Sequence, residues 1–310
     1  MKLWDSIEEL LSSDTNVKKY IFKKEDAIAE AVLYKYGEYS TRTVMCISVQ
    51  TGCPMGCTFC GTGKFFGRNL TQEEIISQVS HMQSANDIDM DSVESLQIMT
   101  MSMGEPLLNM GELPAALEHL NVQYPNAKLL VSTAAPKTNK WDRFMELAED
   151  IPSVGLQFSV HASTDIARDV IMPMSAKLDL DEIAYKGLEF YLRTGRKPFF
   201  NYCVTEGNNT PKNAMQLRLL FDPRVWECTL SVVCEADENI SESSRRQEDM
   251  CNEFSSSLLS LGFNTRVFNP AGQDDIGGGC GQLWAVQEYA KERPGIFRQS
   301  AGNKIHAKQL

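Results

Sequence analysis

Between residues 42 and 268 the sequence alternates short aliphatic runs of strand length with longer stretches of helical periodicity, which limits the fold more than any other feature. Strand-like runs occupy 42–50, 93–100, 127–132, 154–160, 199–204, 226–233 and 265–268. Helical patterns fall at 110–120, 140–148, 180–193 and 249–261, and a further helix opens at Thr71, whose spacing to Glu74 is that of a capping box. Repeated strand–helix units mean a parallel sheet with crossover helices, and about six units fit in this length. Residues 5–33 read as short helical patterns mixed with charges, with Ser13-Asp14 as a second helix start, too short for a core of their own. The polar run 236–247 reads as a surface loop or open edge.

Cys53, Cys57 and Cys60 form a C-x3-C-x2-C run in the loop after the first of these strands. Three thiolates can hold three corners of a [4Fe-4S] cluster, leaving one iron open to bind and activate a ligand. The alternatives are a zinc knuckle or three buried thiols, but no matching C-x2-C pair follows later in the chain. The run resembles the signature of the radical S-adenosylmethionine (radical SAM) enzymes, in which the amino acid part of the cofactor occupies the open iron. That resemblance implies a partial (β/α)6 barrel with the cluster in the loop after its first strand. The expected organisation is α/β, with a short helical N-terminal extension over residues 1–29, a radical SAM catalytic domain over 30–310 and a C-terminal active-site loop.

Further residues suit the same cofactor. Gly104 permits a tight turn and Glu105 presents a carboxylate at a strand end, able to pair with an ammonium group; an ordinary Gly-Glu-Pro surface turn is the plainer reading. Within the resemblance this segment is the piece that holds the methionyl amine. Ser132-Thr133 ends the third strand, where hydroxyls can bind a carboxylate or ribose, or simply cap a turn. Ser159 and His161 point the same way by strand period, although His161 equally suits a structural role. Phe59 and Phe66 can wall an adenine or shield a cluster.

A narrower resemblance rests on 46–53, the cluster spacing, Gly67-Arg-Asn-Leu70, 101–109, Ser159-Val-His-Ala162, Arg168-Asp169, Pro173 and Cys280-Gly-Gln-Leu283. These segments are similar to the adenine-C2 methyl synthases of ribosomal and transfer RNA, and to the related adenine-C8 enzymes, over about 30–283. The resemblance implies that Cys280 takes a methyl group from one S-adenosylmethionine by displacement. A 5′-deoxyadenosyl radical from a second molecule then removes hydrogen from that methyl, and the carbon radical adds to the ring. Cys46 afterwards attacks the sulfur of Cys280 and releases the product. Glu30, in Glu30-Ala-Val32, resembles a family glutamate near the substrate that could assist removal of the ring proton, or it is a solvated acid. Glycines on both sides of Cys280 suit a loop able to turn into the barrel mouth, where Asp274 and Asp275 could orient it.

The pattern departs from that family in three places. Only about 30 residues precede Glu30 where the family carries a long accessory domain, 267–272 lacks Lys and Arg, and the cofactor-binding asparagine is matched only by Asn239 in a shifted loop. Formal net charge is −11, from 30 Lys and Arg against 41 Asp and Glu, which weighs against broad polyanion binding. The expected reaction is methylation of C2 of adenosine in RNA. The alternatives are the same chemistry on a free nucleotide, another small heteroaromatic metabolite or a peptide, and a non-catalytic cluster protein. Family chemistry implies a flavodoxin- or ferredoxin-type reductant. A thiolate-held cluster and the absence of an apolar run of membrane length place the expected protein in the cytoplasm, away from membranes.

Overall fold

The computed structural model describes residues 3–232, 240–269, 276–279, 282–293 and 295–300. The chain opens not with helices but with three antiparallel strands, β1 (Ser6–Leu11), β2 (Val17–Lys24) and β3 (Ala27–Lys35). Alanines and lysines here favour a helix locally, but tertiary burial overrides that preference. Ala27, Ala29, Ala31 and Leu33 face the main core, whereas Ile28, Val32 and Tyr34 face a second cluster inside the barrel. The expected helix start at Ser13-Asp14 is a turn: the Ser12 hydroxyl donates to Asp14 at 2.7 Å and accepts from the Val17 amide.

Next come β4 (Arg42–Cys46), a small hairpin of β5 (Gln50–Gly52) and β6 (Phe65–Asn69), and α1 (Gln72–Ala85). Thr71 and Glu74 form the anticipated capping box on α1. The alternation then runs β7 (Ser95–Thr100), α2 (Leu113–Gln123), β8 (Lys128–Thr133), α3 (Trp141–Asp150) and β9 (Val154–Ser159). It continues α4 (Asp165–Ile171), α5 (Leu180–Thr194), β10 (Phe199–Val204), α6 (Pro211–Leu220), β11 (Glu227–Val232), α7 (Ile240–Ser260) and β12 (Thr265–Phe268). Helix α7 takes up most of the polar run expected as a loop; its buried Cys251, Phe254 and Leu258 lie at helical spacing further along. Beyond lie α8 (Ala285–Lys291) and β13 (Arg298–Gln299), which pairs with β6.

Among the described residues, one ten-stranded sheet runs β1-β2-β3-β4-β7-β8-β9-β10-β11-β12. Pairing from β4 to β12 is parallel throughout, so helical crossovers build the expected radical SAM type of (β/α) barrel, extended at one edge by the antiparallel strands. Outward residues pack under the helices in a core that includes Phe158, Phe200, Phe221 and Trp226, whose rings lie 4.7–6.5 Å apart where they meet. Each such ring contributes about 1.5–3 kcal/mol by burial. The sheet curls until its two sides meet: the Tyr34 ring of β3 contacts Phe268 of β12 edge-on, with centroids 5.5 Å apart. Inward positions such as Gln97, Met99, Leu130 and Ser132 stay partly accessible, leaving a lumen where a ligand can be held.

Candidate active site

The cysteine loop leaves β5 through Gly52, which has φ +79°; a Cβ there would fall 2.1 Å from the Phe65 carbonyl oxygen, so the tight turn requires glycine. Backbone bonds then shape the loop. The Cys53 amide donates to Phe65 at 2.8 Å, Cys60 to Cys57 at 3.2 Å, and Thr58 to Ile171 of α4 at 2.9 Å. Burial pushes the Cys53 and Cys57 thiols well up, and repulsion among the three prospective thiolates adds to it. Such a set is stable ionised only against a strong positive charge, which an iron–sulfur cluster supplies. Three soft donors in one loop, two of them desolvated and both within reach of the charge of Cys60, therefore fit that group. Among the described residues, no three His, Cys, Asp or Glu side chains converge as ligands of a single metal ion.

Glu105 lies beside this loop, near enough for its charge to act on Cys53 and Cys57. Its carboxylate accepts from the Thr133 hydroxyl at 2.5 Å, the Ala134 amide at 2.7 Å and the Leu107 amide at 3.0 Å. Burial pushes Glu105 up to about 7 against these three bonds. The Glu105 amide itself donates to the Gln50 side chain at 2.8 Å. Gly104 has φ +103°, and a Cβ would meet Gln50 at 2.7 Å, so the tight turn here requires glycine. Asn109 completes the joint by donating to the carbonyls of Val49 and Leu70.

His161 adopts φ +58° at the end of β9 and is buried. Its Nδ1 accepts from the Cys203 amide at 3.1 Å, and its ring meets Phe59 edge-on at 5.2 Å. Burial lowers its pKa to about 3, so the imidazole is neutral and supports the cluster loop through Phe59. Ser132 accepts from Gln157 at 3.1 Å, while the Ser159 carbonyl accepts from Arg168 at 3.1 Å.

Cys46 ends β4 and is 6 % exposed. It lines a cavity of about 110 Å³ together with Cys60, Phe59, Met101, Gly278 and Gly279. Around this cavity the N-terminal strands hold the glycine loop. Lys19 of β2 donates to the Gly277 carbonyl at 3.1 Å, and Tyr34 donates to Gly278 at 2.7 Å. Glu30, fully buried in β3, pairs with Lys19 at 3.1 Å and accepts from the Ala285 amide at 2.9 Å. Cys280, Asn239, Asp274 and Asp275 lie outside the described residues.

Residues 47–196 match the radical SAM superfamily. The chain is 30% identical to a probable dual-specificity RNA methyltransferase RlmN of Petrotoga mobilis, over 89% of this chain and 77% of that protein. It is 34% identical to the dual-specificity RNA methyltransferase RlmN of Lawsonia intracellularis, over 89% and 78% of the two chains. The chain belongs to the RlmN-type radical SAM methyltransferase family. A crystal structure of a radical SAM methyltransferase from Sphaerobacter thermophilus superposes with a TM-score of 0.74 at 26% identity, covering 89% of this chain and 79% of that one. The protein is thus an enzyme of the radical SAM methyltransferase class, and the superfamily match implies use of a 4Fe-4S cluster and S-adenosylmethionine. Among the described residues no helix is long and apolar enough to cross a membrane.

For a methyltransferase of this class the structure adds residues that sequence reasoning left without a role. Arg168 of α4 is fully buried and donates to the carbonyls of Leu178, Ala134 and Ser159. Burial lowers it to about 10, so it remains a cation within electrostatic reach of Cys57 and Glu105. Its place in the Arg168-Asp169 pair was visible, but its direction was not. The Thr133 hydroxyl meets a carboxylate as the end of its strand suggested, though that of Glu105, whereas Lys19 and Tyr34 carried no local signal, because their partners lie 258 and 244 residues away in sequence.

Proposed function

We propose that this enzyme methylates an sp2 carbon of adenine, C2 of adenosine in RNA, through a methyl group carried on Cys280. The carrying observation is the small cavity, whose wall includes Cys46, Cys60 and Gly279, the residue immediately before Cys280 in the sequence. On this reading Cys53, Cys57 and Cys60 hold the cluster, which with S-adenosylmethionine supplies radical chemistry when bound. Gly104 and Glu105 shape the cofactor's amino acid site, with Ser132 and Ser159 on the open inner face for its polar groups. Asn239 is assigned a cofactor contact by resemblance alone. Phe59 and His161 form a rigid apolar wall beside the cluster loop. Electrons come from a flavodoxin- or ferredoxin-type protein.

The thiolate of Cys280 displaces the sulfonium leaving group and becomes a methyl thioether. Once the methylene carbon is bonded to the ring, Cys46 would attack the Cys280 sulfur; the carbon–sulfur bond breaks with its electron pair passing to the base, whose new exocyclic carbon then takes a proton, and a Cys46–Cys280 disulfide is left on the protein. Cys46 is buried and faces the cavity, so its thiol is kept from solvent until that step. Glu30 is engaged by Lys19 and Ala285, which supports a positioning role for the loop rather than proton removal from the ring. The catalytic domain spans residues 30–310, and residues 1–29 are an extension that contributes Lys19.

The test is the Cys46→Ala variant, expressed in cells and digested for peptide mass spectrometry. An RNA-derived adenosine adduct on the Cys280 peptide is expected. A mononucleotide or non-nucleic adduct would replace RNA with a small acceptor, and methylation located on another residue would remove Cys280 from the mechanism.

A further inference from the structure

We propose that the opposite mouth of the barrel is a second ligand site, which takes a phosphorylated heteroaromatic molecule of mononucleotide size. A cleft of about 770 Å³ opens there, within the usual range for small-molecule sites. Its rim is formed where strands begin: Arg42 starts β4, Lys128 starts β8 and Phe199 starts β10. The cysteine loop follows the far end of the first barrel strand. Met101 and Phe268 line both this cleft and the small Cys46 cavity, and so form the partition between them.

The lining contains five cations and no Asp or Glu, in a chain whose net charge is −11. A scatter of surface charge would give the reverse. Three of the cations are already engaged: Arg196 by backbone carbonyls of α3 and the turn after it, Lys197 by Pro223, and Arg266 by Glu227. Arg42 and Lys128 have no acidic partner among the described residues and remain to meet an anion. The Arg42 guanidinium stacks over the Tyr36 ring at 4.3 Å, which fixes its plane while its buried Nε has no hydrogen-bond partner. On the adjacent strand the buried Oε1 of Gln97 likewise lacks a donor. Unmet buried polar atoms are costly in a folded protein, and a ligand that satisfies them gains in proportion.

These features specify the ligand chemistry. Arg42 and Lys128 suit a phosphate, for which a guanidinium fork and a lysine are the usual partners. Phe199, whose ring carries Arg266 over one face at 4.8 Å, and Met99 offer apolar surface for a ring. The Gln97 carbonyl accepts from an exocyclic amine, which favours an amino-substituted heteroaromatic over a plain sugar phosphate. The site is independent of the assignment of the acceptor in the methyl-transfer reaction.

The test uses cluster-loaded enzyme saturated with S-adenosylmethionine, so that the cofactor site is filled, and labelled AMP in equilibrium dialysis. One AMP per chain is expected, with affinity weakened at least about tenfold by Lys128→Ala and by Arg42→Gln, as for loss of one charge-assisted contact. Adenosine and inorganic phosphate should each compete at least about tenfold less well than AMP. Gln97→Met should weaken AMP binding and leave phosphate binding unchanged. Lys128 is exposed at a strand start, so its variant decides the matter even if Arg42→Gln fails to fold. Absence of saturable AMP binding at millimolar concentration, equal competition by phosphate alone, or binding unaltered by Lys128→Ala would each overturn the proposal.

Discussion

Lys19→Met tests whether the N-terminal strands hold the glycine loop in place. The substitution keeps the length of the side chain but removes the cation that pairs with Glu30 and donates to Gly277. Both members of the pair are deeply buried, at 7% and 0% side-chain exposure. Removing one partner of such a pair costs about 3–5 kcal/mol, because the other charge is left unpaired. For 310 residues, at about 2 cal/mol/K of unfolding entropy per residue, the melting temperature should fall by about 5–8 °C. The loss should shrink as pH falls, since an orphaned carboxyl can neutralise itself by taking a proton, at about 1.4 kcal/mol per pH unit. Lys19→Met/Glu30→Gln should recover most of the stability, because no buried charge is then left alone. The assay is a double-mutant cycle by anaerobic thermal and urea unfolding of the cluster-free protein. Alkylation of Cys280 should also speed up in Lys19→Met, where the Gly277 tether is gone. A single-mutant loss below about 1 kcal/mol, or strict additivity in the double mutant, would refute the reasoning.

Alanine in place of Cys53, Cys57 or Cys60 should abolish 5′-deoxyadenosine formation by anaerobically reconstituted enzyme, measured by chromatography; normal cofactor cleavage in all three would remove them as cluster ligands. Burial holds the Glu30 carboxyl above its ordinary value of 4.5, so the folded state binds that proton more tightly than the unfolded chain. Its contribution to stability is fully present below 4.5 and is lost as pH rises through the raised folded value. Glu30→Gln should therefore flatten that part of the stability–pH curve, as read from urea midpoints. Thr71→Ala removes the cap that accepts from the Glu74 amide at 3.3 Å and should cost about 1 kcal/mol in the same assay, with no change in cluster content.

What the sequence determined by itself was local. Period-two and helical patterns placed β7 to β12 and most of their crossover helices, and Thr71 with Glu74 marked the start of α1, because side-chain direction and capping depend on neighbours a few residues apart. The spacing of Cys53, Cys57 and Cys60 was legible for the same reason, since one loop carries all three thiols. Residues 5–33 were misleading: alternating alanines next to lysines favour a helix until β2 and β3 bury both their faces, one against the helical layer and one inside the barrel. The site's long-range connections were hidden. That Lys19 and Tyr34 would hold Gly277 and Gly278, and that Glu30 would meet Ala285, depends on how far the sheet curls. Only the closed tertiary structure decided these contacts, because each joins strands or loops distant in sequence, and the burial that makes them strong does not exist in any segment alone.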